Sequence, residues 1–326
     1  MGHVMTADRA VCYVSSKDYL LPSMVSAAGV RRYVSPDTAK IYIFATSGGD
    51  DLIKNVNRAL ADLKIEIISV GGGALEAINS ENFEGYITST TLGRFFLADL
   101  VPPSTQKIIY IDGDTLIRGD PGRLIEAEIP EGRLAAAEDI ISFRAGGLTK
   151  AGRHFRTYFS GLGIGDRGYF NSGVILVRKK TWSELAPAAY QFFKENRALC
   201  ECVDQSALNA VCEGRRLKLS LKWNFQSPAR FLGIDRLVNP AIYHFNQYIK
   251  PWMAVCKPWE HVYPQYMRDV APFTELGLML PMVTEDDIRN HNRLNPAKNL
   301  LLRSPALARL AAIHTGVRAY ERAAWM

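Results

Sequence analysis

Between residues 10 and 111 the chain alternates short apolar runs with stretches of helical period, and this alternation limits the fold more than any other feature. Ala10–Val14 (AVCYV), Lys40–Ala45 (KIYIFA), Lys64–Val70 (KIEIISV) and Lys107–Ile111 (KIIYI) are predicted strands. Helices are predicted over Tyr19–Arg32, Asp51–Leu63 and Ser89–Leu100. Strands separated by helices at this spacing form βαβ units and a mainly parallel sheet. Ligands of such sheets bind beyond the carboxyl ends of the strands, so polar residues at strand ends are the first candidates for chemistry. Beyond residue 120 the pattern loosens. Strands are predicted over Gly132–Ala137, Phe170–Arg178 and Ala241–Phe245, and helices over Thr181–Arg197 and Cys202–Cys212. The expected organisation is a body over residues 1–275 and a basic helical tail over residues 276–326.

Composition excludes several classes. In 326 residues, 22% charged and 48% hydrophobic side chains are those of a globular chain, not a disordered one. The longest aliphatic runs are a few residues, far short of the roughly 18 needed for a spanning helix, and the start of the chain has no signal-like apolar region. Five cysteines, odd in number and without a CxxC pair, point to reduced thiols in the cytoplasm. Cys200, Cys202 and Cys212 lack the usual spacing of a zinc site. Residues 288–326 carry seven bases against the single acid Glu321, which accounts for the whole net charge of +6. The body is therefore neutral and no nucleic-acid partner is expected, while the partner of the tail should be anionic.

The fourth strand delivers the strongest signal, IIYIDGDTLIRGD over Ile108–Asp120. Asp112 and Asp114, separated by Gly113, can hold one divalent cation, and oxygen ligands suit Mg²⁺ or Mn²⁺ bound together with substrate phosphates. The plain alternative is a solvated acidic turn. Two chemistries fit. In one the carboxylates hold a metal on a nucleotide-sugar pyrophosphate. In the other Asp112 is the nucleophile of a haloacid-dehalogenase-type phosphatase, whose DxDxT pattern Asp112–Thr115 satisfies. That second reading needs a later acid pair after a strand. The only adjacent pair downstream, Asp286 and Asp287, follows a segment without strand pattern. IYHFNQYIKPW (Ile242–Trp252) favours the first chemistry, since His244 at a strand end can be a third ligand and Lys250 can hold a diphosphate. A GxGxxG string at Gly163–Gly168 follows a helix and opens a strand, the reverse of a dinucleotide fingerprint.

Taken in order over about residues 10–255, VSSKDY, TTLGRF, YIDGDTLI, AAAED, GYFNSGVILV, VDQSALN, LKWNFQ and HFNQYIKPW resemble family eight of the retaining glycosyltransferases. That family includes bacterial lipopolysaccharide galactosyl- and glucosyltransferases and glycogenin. The resemblance implies a GT-A-type α/β fold and transfer of galactose or glucose from a UDP-sugar to a saccharide or glycolipid. It implies Mn²⁺ or Mg²⁺ on Asp112, Asp114 and His244. Ser15, Ser16 and Asp18 would line the uridine and ribose pocket, Arg94 would reach the donor sugar or phosphate, and Gly113 would lie against the donor. Asp139 and Asn171 would hold sugar hydroxyls, Asp204 and Gln205 would flank the anomeric carbon, and Lys250 would hold the diphosphate. Two positions depart from the family pattern. Gln247 stands where the family commonly has glycine, and Ser16 and Lys17 stand where it often has acids. A nucleotide-sugar-binding module without activity is the non-catalytic alternative.

Ser304–Pro305 is a helix start, with Ser as N-cap and Pro at the first position. Ala306, Leu310, Ile313, Val317, Tyr320 and Ala324 then share one face. Two readings fit this helix. It docks on the body, or its apolar face lies in a membrane headgroup layer on the inner side of the cytoplasmic membrane while its arginines meet anionic lipid.

Overall fold

The computed structural model describes residues 8–70, 89–147, 149–165, 168–291 and 305–326. Seven strands form the main sheet: β1 (Arg9–Ser15), β2 (Lys40–Ala45), β3 (Ile65–Ser69), β4 (Lys107–Ile111), β6 (Leu134–Glu138), β7 (Phe170–Arg178) and β8 (Arg216–Leu219). Their order is β3-β2-β1-β4-β7-β6-β8. The first four run parallel, and β7 alone is antiparallel to its neighbours β4 and β6. This is the mixed, mainly parallel α/β sheet that the strand–helix alternation predicts.

Successive residues along the inner strands are buried on opposite faces. Val11, Tyr13, Ile109 and Ile111 enter one core, and Ala10, Cys12, Ile108 and Tyr110 enter the other. Burial on both faces explains why these strands read as continuous apolar runs without alternation. The helices Leu20–Arg31 and Asp50–Leu60 cover the first face, and Lys179–Glu195 and Val203–Val211 cover the second. The stretch predicted as one helix over Ser89–Leu100 is broken by a 3₁₀ turn at Arg94–Phe96, which carries Arg94 inward.

Of a second, three-stranded sheet only one strand was legible, inside the stretch predicted over Ala241–Phe245. The sheet contains β5 (Thr115–Ile117), β9 (Phe225–Gln226) and β10 (Ile242–His244), in the order β5-β10-β9. Each strand has only two or three residues, too few to show a period. The turn between β4 and β5, residues 112–114, therefore joins the two sheets. Beneath the small sheet lies an aromatic cluster: Phe245 meets Trp259 edge-on at 5.0 Å, and Trp252 stacks on Tyr266 at 4.9 Å.

The tail helix, Pro305–Ala323, docks on the body. Val317 and Tyr320 belong to the first core, Ile313 packs against it, and Phe143 meets the Tyr320 ring edge-on. The buried Tyr320 hydroxyl donates to Leu219 O at 2.6 Å and accepts from Glu138 N at 2.9 Å. Glu321 accepts from Ser220 Oγ and Leu221 N, and the Trp325 amide donates to Lys218 O. Of the two readings of this helix, docking on the body is the one observed, with Val317 and Tyr320 buried and Leu310, Ile313 and Ala324 half-buried. Arg318 and Arg322 remain exposed. The expected cap Ser304 lies outside the described residues. No described helix is long and apolar enough to cross a membrane.

Tyr320→Phe should lower unfolding stability by about 1–3 kcal/mol, because it strips a partner from two backbone groups in a buried setting. Urea titration measures this. Unchanged stability would show that the hydroxyl does not hold the helix in place.

Candidate active site

The small sheet assembles the metal-ligand set. Antiparallel pairing sets His244 of β10 opposite Thr115 of β5, and the Phe245 amide donates to Asp114 O at 2.9 Å. On the other side of the turn, the Asp112 amide donates to Gly173 O at 2.8 Å, so β7 fixes the first carboxylate. Asp112, Asp114 and His244 consequently offer ligand atoms all within 4.8 Å of one another. His244 Nε2 lies 3.5 Å from Asp112 Oδ2 and 3.3 Å from Asp114 Oδ1. Two carboxylates and an imidazole are the donor set for Mn²⁺ or Mg²⁺, and the three predicted ligands are brought together.

Two glycines make this approach possible. A Cβ on Gly173 would come within 2.3 Å of His244 Cε1 and 2.9 Å of Asp112 Oδ2. A Cβ on Gly113 would meet Ser23 Oγ at 2.2 Å, so the turn lies directly on the helix Leu20–Arg31. Gly113 also lines the adjoining cavity of about 440 Å³, with Ser16, Asp18, Tyr19, Arg94, Asp112 and Asp114 among its other walls. Ser15 is a correction. It is fully buried at the end of β1, donates to Ser16 O and accepts from Ser23 Oγ, and does not line the cavity. Gln247 does not line it either; its amide donates to Ile249 O in its own loop.

Each carboxylate of the turn has its own cation. Arg94 Nη2 donates to Asp112 Oδ1 at 3.0 Å, and Lys250 Nζ donates to Asp114 Oδ2 at 2.6 Å. Arg94 Nε lies 3.2 Å from Asp204 Oδ2 without hydrogen-bond geometry. The guanidinium covers the Tyr110 ring at 4.5 Å, and the Tyr110 hydroxyl donates to Asp112 Oδ1 at 2.6 Å. Burial opposes ionisation of Asp114, yet Lys250 outweighs it and holds its pKa well below the usual carboxylate range. Burial pushes the Asp204 carboxyl up to about 6, with Arg94 opposing and Asp112 adding to the rise. Burial also disfavours the Arg94 cation, but Asp112 and Asp204 more than compensate and raise its pKa.

A second cluster adjoins the first. Asp139, which caps the helix Ile140–Ala145, accepts from Asn171 Nδ2 at 3.0 Å and from Gln205 Nε2 at 3.1 Å. Gln205 Oε1 accepts from the Ser172 amide, so Asp139, Asn171 and Gln205 form one buried polar group. Asp204 points the other way, towards Arg94 and Ser172. It lies in the first turn of its helix and is not the N-cap, a position taken by Cys202. Val203, next to it, has φ +47, a strained conformation for a β-branched residue that helps set the direction of the Asp204–Gln205 pair. Three residues without an assigned role from sequence belong to the site: Tyr110, Ser172 and Asn224. Asn224 stands inside the LKWNFQ motif, which was the available signal.

The phosphatase pattern loses its second half. Asp286 and Asp287 lie in a helical stretch over 285–291, not after a strand, and Asp287 accepts from the Thr284 amide and hydroxyl. The GxGxxG string runs from the end of the helix Lys150–Gly161 to the start of β7, with residues 166 and 167 outside the described residues.

Gly173→Ala should reduce divalent-cation affinity at least tenfold while leaving all three ligands in the sequence, because the methyl displaces the His244 ring. Calorimetric Mn²⁺ titration checks this, and wild-type affinity in the variant would contradict the geometry.

The geometry agrees with what the chain is similar to. The model of glycosyl transferase family 8 matches residues 10–256. The lipopolysaccharide glucosyltransferase WaaO of Escherichia coli K12 is 23% identical over 309 residues, 89% of this chain and 85% of its own length. The lipopolysaccharide 1,3-galactosyltransferase of Salmonella typhimurium LT2 is 27% identical over 294 residues, 86% of this chain and 83% of its own. Among solved structures, the galactosyltransferase LgtC in complex with donor and acceptor sugar analogs superimposes with a TM-score of 0.66 at 20% identity. That match covers 85% of this chain and 98% of LgtC and speaks for the fold, the GT-A type. The chain thus belongs to glycosyl transferase family 8 and is a retaining hexosyltransferase that uses a nucleotide sugar and a divalent metal.

Proposed function

We propose that this enzyme moves galactose or glucose from UDP to a hydroxyl of a saccharide or glycolipid, with Mn²⁺ or Mg²⁺ held by Asp112, Asp114 and His244. The observation that carries this reading is the convergence of those three residues at the edge of a cavity large enough for part of a nucleotide. A bound cation supplies Lewis acidity towards the departing diphosphate. The remaining work falls to the chain's own residues. Ser16 and Asp18, on the far wall of the cavity, face the nucleoside. Arg94 and Lys250 balance Asp112 and Asp114 beforehand, so an added divalent cation leaves a surplus of positive charge that a diphosphate matches. Asp139, Asn171 and Gln205 hold hydroxyls of the hexose, with Gln205 nearest the anomeric carbon. Asp204 acts on that centre through the charge it shares with Arg94.

The acceptor is a glycolipid in this reading, which the lipopolysaccharide relatives support. The enzyme is cytoplasmic and peripheral on the inner face of the cytoplasmic membrane. With the apolar face of the tail helix covered, contact with anionic lipid falls to its outer arginines and to Met279 and Met282, which are 76% and 80% exposed.

Asp112→Ala should lower UDP-sugar turnover on the order of 100-fold or more with the fold kept. Full turnover by this variant in the presence of a chelator would refute the metal-dependent transfer. The double variant Arg318→Glu/Arg322→Glu should weaken low-salt binding to phosphatidylglycerol vesicles by roughly 30-fold, at about 1 kcal/mol per basic residue. Equal vesicle binding by both proteins would remove the tail from the membrane contact.

A further inference from the structure

Donor and acceptor chemistry along one buried chain decides which nitrogen of His244 carries a proton. The chain starts at Asp139. Its Oδ1 accepts from the Ile141 amide at 3.1 Å, and its Oδ2 accepts from Asn171 Nδ2 at 3.0 Å and Gln205 Nε2 at 3.1 Å. The Gly173 amide, which can only donate, reaches Asn171 Oδ1 at 3.0 Å. Both contacts demand the same orientation of the Asn171 side chain, with its nitrogen towards Asp139 and its oxygen towards Gly173.

That oxygen also lies 2.8 Å from the Asn224 amide, which must therefore present Nδ2 to it. The other atom of the Asn224 amide is then the carbonyl Oδ1, 2.8 Å from His244 Nδ1. A carbonyl oxygen only accepts, so the proton of the neutral ring sits on Nδ1. The bare nitrogen is Nε2, the one turned towards Asp112 and Asp114. Asn224 is 0% exposed, so bulk solvent does not reach these positions.

We infer that Asn224 is a positioning residue that holds His244 in the Nδ1–H tautomer, with its own orientation dictated from Asp139 through Asn171. The inference rests on the reading of His244 as a metal ligand, because the bare Nε2 lone pair is what a cation needs. Without Asn224, the carboxylates of Asp112 and Asp114 draw the ring proton to Nε2. A cation must then displace that proton before His244 can bind it. The chain also ties the residue proposed to hold a sugar hydroxyl to the residue proposed to hold the metal.

The test is ¹⁵N-imidazole NMR of the metal-free protein, read at a pH where the ¹⁵N shifts themselves show the His244 ring to be neutral. Two-bond couplings then report which ring nitrogen is protonated. Wild type is expected as Nδ1–H, Asn224→Leu as Nε2–H, and Asn224→Asp, which still offers an acceptor, as Nδ1–H. In parallel, Mn²⁺ affinity in the presence of UDP should fall 10- to 100-fold in Asn224→Leu and be largely restored in Asn224→Asp. Circular dichroism checks folding, and the wild-type spectrum decides the tautomer whichever variant survives. Nε2–H in wild type, or wild-type tautomer and affinity in Asn224→Leu, overturns the inference. His244→Ala with undiminished Mn²⁺ affinity overturns the metal-site reading instead, and leaves the tautomer result standing.

Discussion

The antiparallel pairing of β5 with β10 is the constraint on which the site depends. Residues 114 and 244 are far apart in the chain, and this ladder of three residue pairs brings the second acid of the turn beside the histidine. The pairing is too short to be stable alone. It survives because Leu116, Ile117 and Ile242 are buried in the first core, and because Phe245 continues from β10 into the cluster with Trp252, Trp259 and Tyr266. The aromatic side chains therefore hold the end of β10 in place, while the Phe245 backbone touches the site at Asp114 and Lys250. The docked tail adds support from the other side, since the Tyr320 hydroxyl holds the Glu138 amide one residue before Asp139.

A second constraint is electrostatic. Five ionisable groups, Asp112, Asp114, Asp204, Arg94 and Lys250, are crowded into a largely buried space together with His244. Burying such groups costs more than their mutual attraction regains unless geometry is close to ideal, so the cluster is poor evidence of stabilisation. Its sense lies in preparation for charge that arrives later. Asp114 is kept ionised by Lys250, and the Arg94 cation is kept in place by Asp112 and Asp204. A diphosphate and a divalent cation can then enter together without either leaving an unbalanced charge.

Much of this was legible in the sequence, for a physical reason. Strands buried on both faces write themselves as apolar runs, so Lys40–Ala45, Lys107–Ile111 and Phe170–Arg178 coincide with the observed strands. Asp112, Asp114 and His244 were found because they end such runs or stand in a recognisable motif. Of the small sheet only the strand within Ala241–Phe245 was foreseen; β5 and β9, of three and two residues, carry no period, and with them escaped the reason why the ligands meet. Ser15 was misplaced because a strand-end serine looks the same whether its hydroxyl faces a cavity or Ser23. The role inferred for Asn224 was illegible for a deeper reason: it follows from which of two atoms faces which neighbour, and no residue spacing encodes that. The tail helix showed its apolar face correctly, but amphipathicity does not say whether lipid or protein covers it.

The central claim is that the acidic turn and His244 form a cation site that the nucleotide diphosphate needs in order to bind. Isothermal titration of UDP into the full chain tests it most directly, once with Mn²⁺ and once with a chelator. Clear saturable binding is expected with Mn²⁺, and a loss of at least tenfold in affinity without it. Equal UDP affinity in both conditions would contradict it.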